Sequence, residues 1–331
     1  MRLRSAGLPL LVILGLLAAP LTAEAQPAEK VWRIGFAAPM SQASGLYLLK
    51  GFRGGLRDLG YVEGESIRIE DRWANGNLDR FPELLAELVA LRVDVIVVAS
   101  VYGARAAKSE ATSMPVVFTL VPDPIGAGLV TNIAKPGGHL TGIAAGLGAE
   151  ISAKWVDLVR EALPTVSRLG ILANPANPIY GTALAAMSVA AQARGLTLRV
   201  FDARDANKLT RALATISKEH LGALIIAADV LFRNQRDRIV GFAAGQRIPT
   251  VFYAREFAEA GGLMTYGPNQ PDMFWQAASY VDRILKGPKP GDLPIGLPTK
   301  FKLVMNLKTA KALRLTISQS LLRRRADETI Q

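Results

Sequence analysis

Val93-Asp94-Val95-Ile96-Val97-Val98-Ala99, followed at once by Ser100-Val101-Tyr102-Gly103, is the stretch that decides the fold. The apolar run has the length of a strand and leaves no polar face, the pattern of a strand buried on both sides of a parallel sheet. From Gly103 to Thr112 the period becomes helical, so the chain returns through a helix laid on the sheet. Outward from this unit the rhythm repeats. Strands are expected at Trp32 to Ala37, Ser66 to Arg72 and Pro115 to Leu120, with helices near Gly45 to Leu59 and Leu78 to Leu91. The rhythm pauses around Pro136-Gly137-Gly138 and Thr141-Gly142, where a domain crossing is expected.

A second series opens with a helix from Ala149 to Leu163. Strands follow at Arg168 to Ala173, Thr197 to Phe201, Ala223 to Ala228 and Pro249 to Tyr253, with helices near Tyr180 to Arg194, Ala206 to Glu219 and Arg233 to Gln246. Gly261-Gly262 and Leu263 to Tyr266 read as a strand returning to the first domain, and Asp272 to Leu285 as a long helix. Gly287 stops that helix, and Pro288 and Pro290 prevent it from resuming. A strand, Phe301 to Asn306, and a short helix, Leu307 to Leu313, close the pattern. The fold class is therefore α/β: two Rossmann-like lobes with parallel sheets joined by hinge crossovers. The expected division is 26–145 with 267–290 in the first lobe and 146–266 with 291–331 in the second.

Ahead of this pattern, Arg2 and Arg4 precede an apolar run from Leu8 to Leu21 that ends in Ala23-Glu24-Ala25. A positive start, an apolar stretch short of the ~20 residues a span needs, and a small-x-small ending predict a secretory leader, residues 1–25, cleaved before Gln26. An uncleaved anchor is the alternative. The chain has no cysteine. A lipid-tethering cysteine, a disulfide and a thiolate metal site are thereby excluded, and a free periplasmic protein is expected. Of 331 residues, 50% are hydrophobic and 20% charged, enough apolar material for two cores. The formal charge of +11 is scattered apart from Arg323-Arg324-Arg325, so it reads as a basic solvated surface and no nucleic-acid partner is expected.

Catalytic groups are scarce. The two histidines, His139 after Gly-Gly and His220 after Glu219, read as structural, and no Gly-x-Ser-x-Gly, phosphate-loop or His-Glu-x-x-His motif occurs. The carboxylates near strand ends, Asp123, Asp229 and Glu256, are explained more simply by binding an amine than by acid or base work. No enzyme activity, cofactor or metal is expected. Two such lobes meet at a cleft beyond their strand carboxyl ends, where a ligand sits and closure follows.

Several stretches, taken in order, resemble one family: Gly51-Phe52-Arg53-Gly54-Gly55-Leu56, Leu59-Gly60-Tyr61-Val62-Glu63-Gly64, Arg72-Trp73-Ala74, Asp123-Pro124-Ile125-Gly126-Ala127-Gly128-Leu129, Pro136-Gly137-Gly138, and Asn174-Pro175-Ala176-Asn177-Pro178. Arg255-Glu256-Phe257, Gly261-Gly262-Leu263-Met264-Thr265-Tyr266-Gly267-Pro268, Pro298-Thr299-Lys300-Phe301 and Asn306-Leu307-Lys308-Thr309-Ala310-Lys311 complete the set. The chain, from about Arg33 to Ile330, is similar to the exported substrate-binding proteins of ABC importers, often labelled tryptophan or tyrosine transport components, with the type I periplasmic binding fold.

The resemblance implies a periplasmic protein that captures a small ligand, an amino acid or an aromatic or carboxylate metabolite, and delivers it to an inner-membrane ABC permease. A monomer suits that work. A ligand-sensing module for a receptor kinase or chemoreceptor is the alternative. By the same resemblance, the ligand carboxylate meets hydroxyls and amides of the first lobe, here the loops Pro39-Met40-Ser41 and Ser100 to Gly103, and the ammonium meets an acidic residue. Ser100 reads equally as a helix cap. Relatives commonly show Thr-Pro where this chain has Val101-Tyr102, so Tyr102 is placed to cap an aromatic or aliphatic part of the ligand. Pro122 likewise replaces a glycine, and His139 an asparagine. Asp123 borders the cleft or starts a turn. Asn174 and Asn177 donate amides to the ligand or shape a turn. Asp229 is the preferred ammonium partner, or caps the helix near Phe232. Tyr253, Glu256 and Tyr266 lie at strand ends nearby, and an Arg255 to Glu256 pairing that orders the hinge is the favoured reading of that pair. Trp73, Trp155 and Trp275 are expected in the core.

Overall fold

The structure, a computed structural model, describes residues 30–324 and 326–331, so the leader expected at 1–25 lies outside the described residues. Among the described residues, the first lobe is a five-stranded parallel sheet in the order β2-β1-β3-β4-β5. Its strands are β1 (Trp32–Ala38), β2 (Ile67–Trp73), β3 (Val95–Ala99), β4 (Val116–Val121) and β5 (Leu140–Ala144). The central β3, fully buried, runs Ile34 against Val95 on one side and Ile96 against Val116 on the other. That is why its sequence has no polar face.

Helix α1 (Gln42–Asp58) starts at Ser41, whose Oγ accepts from the Ser44 amide, and turns Leu48, Leu49, Phe52 and Leu56 inward at helical spacing. It lies on the sheet beside α10 (Gln270–Leu285), Phe36 packing against Phe274 with ring centres 5.8 Å apart. The two helices approach at glycines. A Cβ on Gly51 would stand 2.6 Å from the Pro271 carbonyl oxygen, and one on Gly55 would collide with that of Trp275. Gly55→Val therefore lowers stability by about 1–3 kcal/mol or more, because backbone must shift to admit it. A thermal melt checks this, and an unchanged melting temperature would show that the helices can part freely. Helices α2 (Phe81–Ala90) and α3 (Ser100–Glu110) cover the opposite face through Leu84, Leu85, Leu88, Ala104 and Ala107.

The second lobe begins with α4 (Ala149–Ala162) and continues through β6 (Arg168–Ala173), α5 (Tyr180–Ala193), β7 (Thr197–Asp202), α6 (Ala206–Ile216) and β8 (Ala223–Ile226). Two short helices follow, α7 (Val230–Asn234) and α8 (Arg236–Gly245). The series then runs through β9 (Thr250–Phe252), α9 (Arg255–Glu259), β10 (Met264–Pro268), β11 (Phe301–Asn306), α11 (Leu307–Ala312), α12 (Gln319–Arg324) and β12 (Glu328–Ile330). The sheet order is β12-β11-β10-β9-β8-β6-β7, parallel except for the β10–β11 pair.

Several expectations need correction. The pause at Thr141-Gly142 is β5, a strand of five buried residues. Its signal is hidden by Gly142 at φ +149, where a Cβ would clash with the backbone of Phe118. The strand near Leu263 does not return to the first lobe: β10 pairs with β9 and β11 in the second sheet, and α10 makes the return. Residues near 291–296 stay on the first lobe, since Gly296 bridges Ile143 and Thr141 Oγ1 donates to the Leu293 carbonyl at 2.8 Å. Trp155 is core, but Trp275 is 45% exposed, its Nε1 donating to Asp58 at 2.8 Å, and Trp73 is half-buried against Phe36. The helix expected from Arg233 begins three residues earlier and breaks at Gln235 into α7 and α8.

Candidate functional site

The chain passes between the lobes after β5, after β10 and again between Gly296 and Phe301. The strand ends of both sheets therefore face one cleft. Two non-glycine residues at first-lobe strand ends hold positive φ, Ser100 at +80 after β3 and Leu120 at +55 in β4. Such backbone costs about 1–3 kcal/mol each and persists where the surroundings fix it. Both line a cavity of about 60 Å3 between the lobes. Pro39, Met40, Tyr102, Pro122 and Leu147 line it from the first-lobe side and the crossover after β5, and Asn177, Ala228, Asp229, Arg233 and Tyr253 from the second lobe. Tyr253, Pro268 and Gln270 also wall a wider crevice of about 670 Å3 alongside it.

Asp229 is built into the cleft by its neighbours in sequence. It follows β8 and caps α7, accepting from the Leu231 amide at 2.8 Å. In the turn after β6, Asn174 Oδ1 accepts from the Ala176 amide at 2.9 Å, and Asn177 Oδ1 from the Ile179 amide at 3.2 Å. With each carbonyl oxygen engaged by a backbone N–H, only the amino groups can face Asp229. They donate to it at 3.1 Å from Asn174 and 2.7 Å from Asn177. From the first lobe the Tyr102 hydroxyl also donates to Asp229. Every donor is neutral, and among the described residues no cation pairs with this buried carboxylate. Burial pushes the Asp229 carboxyl above the usual carboxylate range, and the hydrogen bonds from Asn174, Asn177, Leu231 and Tyr102 only partly oppose it.

One helical turn on, Arg233 points the other way. Its Nη1 pairs with Glu256 Oε1 at 2.8 Å and donates to the Tyr47 hydroxyl at 3.2 Å. Nη2 donates to Gln270 Oε1 at 3.0 Å, and Nε to the Tyr253 hydroxyl at 3.4 Å. Tyr47 belongs to α1, so this cluster spans the lobes. Burial by itself would lower the Arg233 pKa, but the Glu256 charge together with the Tyr253 and Tyr47 hydroxyls outweighs it, and the guanidinium is held well above its ordinary value. Burial pushes the Tyr47 and Tyr102 phenols up and that of Tyr253 to about 12, so all three stay neutral at physiological pH.

The other expected residues divide. Pro39, Met40, Ser100, Tyr102, Asn177, Asp229 and Tyr253 line the small cavity, and Asn174 supports Asp229 from behind. Ser100 also caps its helix, accepting from the Gly103 amide at 3.3 Å. Gly103 is a packing residue, since a Cβ there would strike Val98 and Phe81. Ser41 caps α1, and Asp123 turns its carboxylate back onto the amides of Ile125 at 3.0 Å and Gly126 at 2.9 Å. Glu256 lines the crevice and pairs with Arg233, while Arg255 pairs with Glu259 and Glu328, so the expected Arg255 to Glu256 pairing does not form. The Tyr266 ring lies against Phe301 and its carbonyl accepts from Trp155 Nε1 at 2.7 Å. Sequence reasoning passed over Tyr47, Arg233 and Gln270. Arg233 had a signal, four residues after Asp229 and therefore one turn along the same helix; Tyr47 and Gln270 reach the cleft only through tertiary packing.

Known proteins are similar to this chain in sequence and fold. A family model described as ABC transporter substrate binding protein matches residues 33–330. The tyrosine-binding protein of Clostridioides difficile (strain R20291) is 23% identical over 264 residues, covering 80% of this chain and 75% of that protein. Among solved structures, a conserved domain protein from Vibrio cholerae is 25% identical with a TM-score of 0.83, covering 91% of this chain and all of that one (100%). A domain from Streptococcus pneumonia in complex with L-Trp is 26% identical with a TM-score of 0.80, covering 90% of this chain and 100% of that one. With a family match over nearly all the described residues and two α/β lobes closing on a cleft, this chain belongs to the ABC transporter substrate-binding proteins.

Proposed function

We propose that this protein carries an amino acid with a large apolar or aromatic side chain to an inner-membrane permease, working in the periplasm after loss of its leader. The observation that carries this reading is Asp229, a buried carboxylate on the cleft wall whose partners are all neutral donors. A ligand ammonium supplies the missing positive charge. Apolar lining from Met40, Val101, Leu120 and Leu147, with the Tyr102 ring, suits an aliphatic or aromatic side chain. The named ligands of two relatives, tyrosine and L-Trp, support the same class. A cavity of about 60 Å3 is far below the ~300 Å3 at which small-molecule sites begin, so such a ligand enters by parting the lobes or swinging Tyr102 aside. Ligand that bridges both lobes then favours the closed arrangement.

The test is the melting temperature of residues 26–331 against a panel of amino acids, with their deaminated and amidated analogues. A ligand that binds the folded state raises it. A rise of several degrees with one aromatic or large aliphatic amino acid, and not with its deaminated analogue, supports the reading; a larger rise with the deaminated acid would refute it.

The raised Asp229 pKa adds a pH dependence with a definite sign. In the ligand-free protein the folded state binds this proton more tightly than the unfolded chain, so stability from this group falls as pH rises between the unfolded and folded values. The ammonium binds only the ionised form. The ligand-induced rise in melting temperature is therefore expected to shrink as pH falls through the raised Asp229 value. A pH-independent rise would place the ammonium elsewhere.

A further inference from the structure

We propose that Arg233 is the carboxylate-recognising group of the cleft and that Glu256 is its resting counter-ion, displaced into the adjoining crevice when a carboxylate-bearing ligand enters. The inference rests on the reading of the ligand as an amino acid and adds the group that holds its other end.

The Arg233 side chain is only 10% exposed, yet it lines the small cavity one turn from Asp229. Guanidinium presents five donors in a planar fork that matches a carboxylate two-to-two. Here the fork is not used in that way. Glu256 takes Nη1 through Oε1, while Nη2 and Nε are met by the neutral oxygens of Gln270 and Tyr253. A buried ion pair is seldom a stability device, because desolvating both charges offsets their attraction. One pressed against a cleft and held by a tyrosine of the opposite lobe is better explained by binding.

Glu256 also has somewhere to go. Arg233 lines the small cavity, whereas Glu256 lines the crevice of about 670 Å3, which brings Arg236, Arg255 and Lys302 to its walls. Gln270 and Tyr253 stand between the two spaces and line both. An amino acid brings one charge of each sign. Its ammonium offsets Asp229, but its carboxylate beside Arg233 meets the Glu256 charge unless Glu256 yields. Exchange of one carboxylate for another on the same guanidinium, with the displaced one received by the cations of the crevice, leaves no charge buried alone. Because Tyr47 of α1 and Gln270 of α10 donate to or accept from the same cluster, the exchange is felt by both lobes.

Titration calorimetry with tyrosine, tryptophan, their amides and 3-(4-hydroxyphenyl)propionate, on wild type, Glu256→Gln and Arg233→Lys, tests this. In wild type the amino acid binds about tenfold or more tighter than its amide. Glu256→Gln keeps an acceptor for Arg233 and removes the competing charge, so affinity for the carboxylate-bearing probes rises several-fold while the amides are unchanged. Arg233→Lys lowers affinity for the carboxylate-bearing probes about tenfold or more and spares the amides. Equal amino-acid-to-amide ratios in wild type and Glu256→Gln would overturn the proposal, as would absence of binding by every carboxylate-bearing probe. If Arg233→Lys does not fold, the wild-type and Glu256→Gln ratios decide. Failure of the ammonium reading looks different: tyrosine and the propionate then bind alike, while Glu256→Gln still raises and Arg233→Lys still lowers the affinity for acid relative to amide.

Discussion

Replacing Asp229 by asparagine is expected to weaken binding of the amino-acid ligand by about 1.5–3 kcal/mol, the range for a hydrogen bond to a charged group. That is roughly 10- to 150-fold in the dissociation constant. The substitution keeps the size of the side chain and an oxygen to cap α7 at Leu231, so the local backbone is retained. What disappears is the charge. The ammonium then enters a buried site walled by Asn174, Asn177 and Tyr102, none of which carries a negative charge. The ligand-free protein is expected to change in stability by no more than about 1–3 kcal/mol, because relief of an unfavourable buried charge is set against the Asn177 amino group, which loses this acceptor and faces another amide NH2. Calorimetry against the amino acid and its deaminated analogue checks both parts. Unchanged affinity for the amino acid would remove Asp229 from the ammonium site.

Trp155→Ala carries the largest expected loss of stability, about 3–5 kcal/mol, the usual range for truncating a large buried aromatic. Trp155 sits on α4, the first element after the first crossover, and is 1% exposed. Its ring packs in the second-lobe core, and its Nε1 donates to the Tyr266 carbonyl on β10 at 2.7 Å. Truncation opens a cavity and also removes the indole donor to that carbonyl, at the strand that leads back to the first lobe. Trp155→Phe restores most of the volume without the donor and should cost about 1–3 kcal/mol. Urea unfolding of both variants separates packing from hydrogen bonding; equal midpoints would show that the ring volume contributes nothing beyond the donor.

Strands with an uninterrupted apolar signature were legible. β6 and β11 begin and end where their sequence patterns do, and β3 and β8 fall within theirs, because burial on both faces leaves one period to read. β5 was missed because its glycine breaks that pattern, and β12 because three residues with an exposed Thr329 carry no period at all. In the site, Asn174, Asn177 and Asp229 were readable as a group, since each follows a strand end of the same sheet. Asp123 follows the same rule and does not line the cavity. Its loop offers the carboxylate two local amides, and a local hydrogen bond forms without closing any long loop.

The sequence by itself determined the two α/β lobes, the strand ends that face one another and the buried acid expected to receive an amine. Periodicity and strand-end position are local properties, written over a few consecutive residues. Only the tertiary structure decided which partners meet across the cleft: Tyr102 with Asp229, and Tyr47, 186 residues from Arg233, with the Arg233–Glu256 pair. No local pattern encodes such contacts. The Tyr47 contact exists because α1 and α10 pack through glycines over the first sheet, and that of Tyr102 because its helix starts where β3 ends at the cleft.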